Sequence, residues 1–228
     1  MADNKRVVIV GGHGKIALLT APSLTSAGYA VESLIRNHDH RQDVEAAGAT
    51  PVLLDIEEAD VQALTQAFDG ASAVVFTAGA GGGNPARTHA VDYEAATRTM
   101  QAAQRAGVRR YVMVSYVRAA VDVDRIDPEE AFYHYAKAKH DADADLRRSE
   151  LDHTILGPGR LTMEPASGKV LLVDDFGEAG QATLSDEQKV TSRANVAQVI
   201  THVITTGSGI GVTYNFYDGD MPIAEAMT

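Results

Sequence analysis

The sequence predicts an α/β fold: a doubly wound parallel sheet with a small C-terminal lobe. Three observations carry this. Apolar, β-rich runs alternate with helical patterns through the first two-thirds of the 228 residues, the rhythm of right-handed βαβ units. Several of those runs are almost continuously apolar, as strands are when helices cover both faces of a parallel sheet. The first run then stops at a glycine turn, "VVIVGGHGKIA" (7–17), which opens into an apolar segment.

Taken in order, the expected strands are 6–10, 29–35, 50–55, 72–78, 110–115 and 152–157. Helices are expected between them near 15–27, 40–47, 58–68, 87–106 and 129–149. The glycine-rich "GAGGGN" (79–84) reads as a loop. After Gly157 the rhythm changes, and a long stretch rich in glycine and turn formers holds one short strand, 169–173. A helix over 193–204 follows, capped by Ser192, and then a last strand over 211–219. This C-terminal third reads as an appended lobe.

Bulk composition narrows the function. The formal net charge is -11, which argues against nucleic acid as the main partner, because phosphate backbones need a basic face. The chain holds no cysteine, so disulfides, thiolate catalysis and cysteine metal sites are excluded. No secretory leader is expected at the N-terminus and no apolar run reaches the length of a membrane span. The expectation is a cytoplasmic protein with a small-molecule substrate and no nucleic-acid or membrane partner. The sequence admits a homodimer and does not require one.

The glycine turn fits two registers. Gly12, Gly14 and Ala17 match G-x-G-x-x-A, while Gly11, Gly14 and Ala17 match G-x-x-G-x-x-A. Both share one mechanism. Glycine allows the tight turn and lets the backbone approach a pyrophosphate, and the helix start offers free N–H groups and a partial positive charge. An NAD site wants an acid at the end of the second strand, for the ribose 2′-hydroxyl. This chain has Arg36 there instead, and a guanidinium suits a 2′-phosphate. His13 and Lys15 add positive charge from the first loop. The expected cofactor is NADP(H).

"FYHYAKAKHDADADLRRSE" contains two overlapping Y-x-x-x-K patterns, Tyr133 with Lys137 and Tyr135 with Lys139. Each spacing puts its pair on one helix face, and the two faces are nearly opposite. Ala138, Ala142 and Leu146 share the stripe of Tyr135 and Lys139, so that pair is expected to face inward. The chemistry that wants it is hydride transfer: the tyrosine exchanges a proton with the substrate oxygen, and the lysine positions the nicotinamide ribose and lowers the tyrosine pKa.

With these motifs the chain resembles the short-chain dehydrogenase/reductase superfamily, and most of all its atypical, epimerase-like or NmrA-like NAD(P)-binding members. "VDYEAATRTMQAAQRAGVRRYVMVS" (91–115), "SELDHTILGPGRLT" (149–162) and "TSRANVAQVI" (191–200) extend the resemblance over nearly the whole chain. It implies a Rossmann-type NADP-binding domain over 1–157 and a small substrate lobe over 158–228, interleaved as one unit. It implies that Gly11, Gly12, Gly14, Lys15 and Ile16 line the phosphates. Asp55 and Ile56 border the adenine, and Thr77, Ala78 and Gly79 run under the ribose. Gly157, Pro158 and Gly159 form the loop beside the nicotinamide, and Ser115, Tyr135 and Lys139 are the catalytic residues. Asp92 stands where many relatives have a catalytic asparagine.

Other patterns carry less. "NHDHRQD" (37–43) and "DADAD" (141–145) read as solvated faces, so no metal site is expected. No G-x-S-x-G elbow supports a serine hydrolase. The reading is an NADP(H)-dependent oxidoreductase acting on a small carbonyl or hydroxyl compound, with an NADPH-binding sensor as the alternative. The loops 80–90, 116–130 and 160–190 would shape the substrate pocket.

Overall fold

The computed structural model describes residues 5–81, 84–181 and 183–228. Gly82 and Gly83 of the expected 79–84 loop, and Ala182 of the expected substrate loop, therefore lie outside the described residues. The chain runs β1 (Arg6–Val10), α1 (Lys15–Ser26), β2 (Ala30–Ile35), α2 (Arg41–Ala46), β3 (Thr50–Leu53), α3 (Val61–Phe68) and β4 (Ala73–Phe76). It continues with α4 (Pro85–Thr88), a π-helical segment (His89–Ala95), α5 (Ala96–Arg105), β5 (Arg110–Val114), α6 (Tyr133–Arg148) and β6 (Asp152–Pro158). The last third holds β7 (Arg160–Thr162), β8 (Lys169–Val173), β9 (Val190–Ser192), α7 (Arg193–Thr206), β10 (Val212–Asp218), β11 (Met221–Pro222) and α8 (Ile223–Ala226).

Among the described residues a nine-stranded sheet has the order β11-β8-β10-β6-β5-β4-β1-β2-β3. The run from β3 to β10 is parallel, while β8 and β11 add antiparallel pairings at one edge. Strand β1 pairs with both β2 and β4. The chain reverses direction across the sheet between β1 and β4, and ligands bind at the carboxyl ends of strands at such a switch point.

The core explains why β1 is apolar throughout. Val7 and Ile9 join the cluster under α1 and α7, and Val8 and Val10 join the cluster under α3, α5 and α6. All four are fully buried, and each such side chain contributes about 1.5–3 kcal/mol.

Three stretches depart from the sequence expectation. The helix expected over 87–106 is interrupted by the π-helical segment, which carries Asp92; the extra residue per turn re-aims side chains there, as π-helical turns do at functional sites. The helix expected from 129 starts at Tyr133. The residues after Gly157 thread into the main sheet, since β10 pairs with β6 and β8 with β10. The short parallel pair β7–β9 and the terminal β11 and α8 had no sequence signal strong enough to read; two- to four-residue elements have no periodicity to detect.

Candidate active site

The glycine turn lies at the carboxyl end of β1, and its glycines have different duties. Gly11 has φ +81 and sits against the backbone of Ala78, so a side chain there is both strained and obstructed. Gly14 is the N-cap of α1 and brings no side-chain cap. The first-turn amides of α1 lack helical acceptors and open beside it. Gly12 is buried, and a Cβ on it would lie 2.4 Å from the Cβ of Ser33. Gly12 therefore serves the packing of the turn on β2, not the lining of the groove. The register that matches these duties is Gly11, Gly14 and Ala17.

Two clefts meet at this turn. The smaller, about 250 Å³, holds Gly11, His13, Gly14, Arg36, Asp55, Ile56, Thr77, Ala78 and Gly79. It also holds His40, Glu57 and Arg87. The larger, about 820 Å³, shares Gly14, Thr77, Ala78 and Gly79 with it and adds Lys15, Ile16, Asp92, Ser115, Tyr135 and Lys139. The two form one groove across the carboxyl ends of β1 and β4, with Arg36 at one end and Tyr135 at the other. Phe132, Leu161 and Arg193 stand on its outer wall.

Gly157, Pro158 and Gly159 are corrected by this geometry. They are buried and do not line either cleft. A Cβ on Gly157 would lie 2.1 Å from Asn215 Oδ1, and one on Gly159 would lie 2.5 Å from the ring of Tyr217. Gly157 and Gly159 make room for side chains of β10, the neighbouring parallel strand of the sheet, where Asn215 stands in register with Gly157.

Helix α6 presents the inner of the two Tyr–Lys pairs to the groove. Lys139 is 2% exposed, whereas Lys137 is exposed and pairs with Asp141 at 2.8 Å. The Lys139 ammonium donates to the carbonyl of Val114 at 2.8 Å and lies 3.8 Å from Asp92 Oδ1. Asp92 accepts from the amide of Ala80 through Oδ2 at 3.0 Å, which ties the loop after β4 to this centre. The Tyr135 ring packs against Tyr116 and Phe132, with centroids 5.4 Å from each. Its hydroxyl has no hydrogen-bond partner among the described residues and opens into the larger cleft.

Sequence reasoning missed Asp143. It lies four residues beyond Lys139, is 1% exposed, and accepts from Ser115 Oγ at 2.6 Å. Its Oδ1 and the Oδ1 of Asp92 are buried without a hydrogen-bond partner. Two buried acids thus lie in the field of one buried ammonium, Asp92 at 3.8 Å and Asp143 as an electrostatic neighbour. Burial pushes the Asp143 carboxyl up, against the opposing pull of Lys139 and the Ser115 hydrogen bond. The only sequence signal was the i, i+4 spacing from Lys139, which the "DADAD" run disguised as a solvated face.

The same surroundings act on Tyr135 against the lowering expected from Lys139. Burial pushes the phenol well above its ordinary value of about 10, and the charges of Asp92 and Asp143 push it the same way. In these surroundings the phenol is held in its neutral form, with its proton in place.

The raised Asp143 carboxyl predicts a pH-dependent cost. A carboxyl whose folded pKa lies above its unfolded value of about 3.9 costs nothing below that value, and the fold loses stability as pH rises through the folded pKa. Asp143→Asn removes this ionisation and still offers Ser115 a polar partner. We expect the variant to gain stability over wild type in urea unfolding at neutral pH, with the gain vanishing near pH 4 and below. A difference that is constant with pH would refute it.

Among the described residues no group of three histidine, aspartate or glutamate side chains is placed to hold a metal ion. No helix among them is long and apolar enough to cross a membrane.

A glycine turn at the switch point and a tyrosine–lysine pair across one groove define a dinucleotide-binding protein of the oxidoreductase and epimerase class, on the atypical short-chain dehydrogenase fold. The chain belongs to the NAD(P)H-binding family, whose model matches residues 11–206. It is 31% identical to the uncharacterised sugar epimerase YhfK of Bacillus subtilis over 97% of this chain and 98% of that protein. A Bacillus halodurans structure, provisionally named an NAD-dependent epimerase/dehydratase, is 33% identical with a TM-score of 0.84, covering 97% of both chains. The oxidoreductase ylbE of Lactococcus lactis is 25% identical with a TM-score of 0.79, covering 97% of this chain and 94% of that one.

Proposed function

We propose that this protein is an NADP(H)-dependent oxidoreductase that reduces a small carbonyl compound. The observation that carries the reading is the unpartnered Tyr135 hydroxyl, which opens into the same groove as the glycine turn and Lys139. The residues fit a dinucleotide. Gly11 and Gly14 permit the tight turn that brings its backbone to the groove, and the first-turn amides of α1 suit a pyrophosphate. Arg36 lines the same groove, and its guanidinium suits a 2′-phosphate.

A bound reduced nicotinamide would supply the hydride. The chain supplies position and a proton. Tyr135, held protonated by its surroundings, donates to the carbonyl oxygen as that oxygen gains charge. Lys139 has three donors, and the carbonyl of Val114 engages one of them, while Asp92 lies 3.8 Å away as a counter-charge. The remaining donors are available for the ribose hydroxyls. Ser115 orients the substrate oxygen. Ser115 Oγ donates to Asp143 Oδ2 at 2.6 Å, which fixes the serine side chain and leaves its oxygen lone pairs facing the groove.

The test is a panel of aldehydes, ketones and quinones offered with NADPH and with NADH, with oxidation followed by absorbance and coenzyme affinity by fluorescence. We expect turnover on at least one class and tighter binding of NADPH than NADH. Tight binding with no oxidation across the panel, and coenzyme-dependent capture of a protein, would establish the sensor reading instead. Equal affinity for the two coenzymes would defeat the NADP(H) preference.

A further inference from the structure

The acid that sequence reading finds missing from the end of β2 is brought there by the tertiary fold. Glu57, in the turn after β3, puts its Oε1 3.0 Å from Arg36 Nη1. The same oxygen lies 3.0 Å from Arg87 Nη2 and 3.2 Å from Arg87 Nε. All three residues line the smaller cleft. The backbone of this turn is held from below, because Arg98 donates to the carbonyls of Ile56 and Glu57 at 2.9 and 3.1 Å. Glu57 is therefore a fixed charge rather than a waving side chain.

Left alone with Arg36, Glu57 would form a one-to-one ion pair. Its charge would cancel the guanidinium and repel a 2′-phosphate. Arg87 changes this. It places two nitrogens on Glu57 and a third on the carbonyl of Ala80 at 2.6 Å, so each of its three nitrogens has a partner inside the protein. Arg36 gives Glu57 only one nitrogen and is 52% exposed. Asp55, the other acid on this rim, is turned to the amide of Glu57 at 3.0 Å.

We propose that Arg87 and Glu57 form the coenzyme-selectivity switch of this site: Arg87 offsets Glu57, which leaves Arg36 as an effective cation for the 2′-phosphate of NADP(H). Arg87 touches no phosphate in this scheme. It acts through Glu57 as a positioning residue, and the balance of these side chains sets how strongly the phosphorylated coenzyme is preferred. The inference rests on the coenzyme reading above.

The test is the ratio of NADH to NADPH dissociation constants, measured by fluorescence titration in low-salt buffer on the whole protein. Arg87→Gln takes one positive charge from the rim and is expected to lower the preference for NADPH roughly tenfold. Glu57→Gln adds one positive charge and is expected to raise it by a similar factor. The double variant restores the charge and is expected to return close to wild type, and added salt should shrink all the differences. Arg87→Lys keeps the charge without the fork, and it is expected to keep most of the preference even where Arg87→Gln folds poorly. A double variant no better than Arg87→Gln, or a lower preference in Glu57→Gln, overturns the proposal. A wild-type protein that binds neither coenzyme sinks the coenzyme reading itself, which is a different result.

Discussion

Tyr135→Phe is expected to cut NADPH-dependent carbonyl reduction by about 100- to 10,000-fold, the usual worth of a positioned proton donor. NADPH affinity and thermal stability should change little. The ring packs against Tyr116 and Phe132 through its carbon faces, which phenylalanine keeps. The hydroxyl bonds to nothing among the described residues, so removing it strands no partner. The loss should fall on kcat rather than on coenzyme binding, because the proton is needed only as charge develops on the substrate oxygen. Steady-state kinetics with fluorescence titration separates the two. Retained turnover in Tyr135→Phe would remove Tyr135 from the chemistry and leave a groove that only binds.

Lys139→Met should have the largest effect on stability. The ammonium is 2% exposed and is the cation beside two buried acids, Asp92 and Asp143, each with an oxygen that has no hydrogen-bond partner. Removing one partner from a buried ionic cluster leaves uncompensated charge and costs about 3–5 kcal/mol. For a chain of this size that lowers Tm by roughly 10 °C. Lys137→Met, two residues away, is the control. Its exposed i, i+4 pair with Asp141 is worth under about 1 kcal/mol. Calorimetric melting of the two variants side by side tests the contrast. Equal, small shifts would mean that Asp92 and Asp143 do not carry the charge assigned to them here. Adding Asp143→Asn to Lys139→Met should recover part of the loss, because it removes one of the stranded carboxyls.

These expectations rest on residues of unequal legibility in the sequence. The strand pattern of β1 and the glycine turn could be read because each is written in a window of about ten residues. The choice of Tyr135 and Lys139 over Tyr133 and Lys137 could be read from the alanine stripe of α6, since three- and four-residue spacing reports a helix face. Gly157 to Gly159 misled for a physical reason. A glycine is needed wherever anything approaches closely, and sequence does not say whether the neighbour is a ligand or, as here, Asn215 and Tyr217 of β10. Gly12 misled in the same way, against Ser33.

The sequence by itself determined the alternation of strands and helices, the dinucleotide turn and the inward tyrosine–lysine pair, because short-range periodicity and backbone stereochemistry encode them. The tertiary structure alone decided that Glu57 and Arg87 meet Arg36, and that Asp92 reaches the Lys139 ammonium. It also placed Asp92 and Asp143 where their charges push the Tyr135 phenol up. Glu57 and Arg87 are thirty residues apart, and Asp92 meets Lys139 across two different helical segments. Such meetings follow from how helices pack on a sheet, and the local pattern of any one segment carries no trace of them.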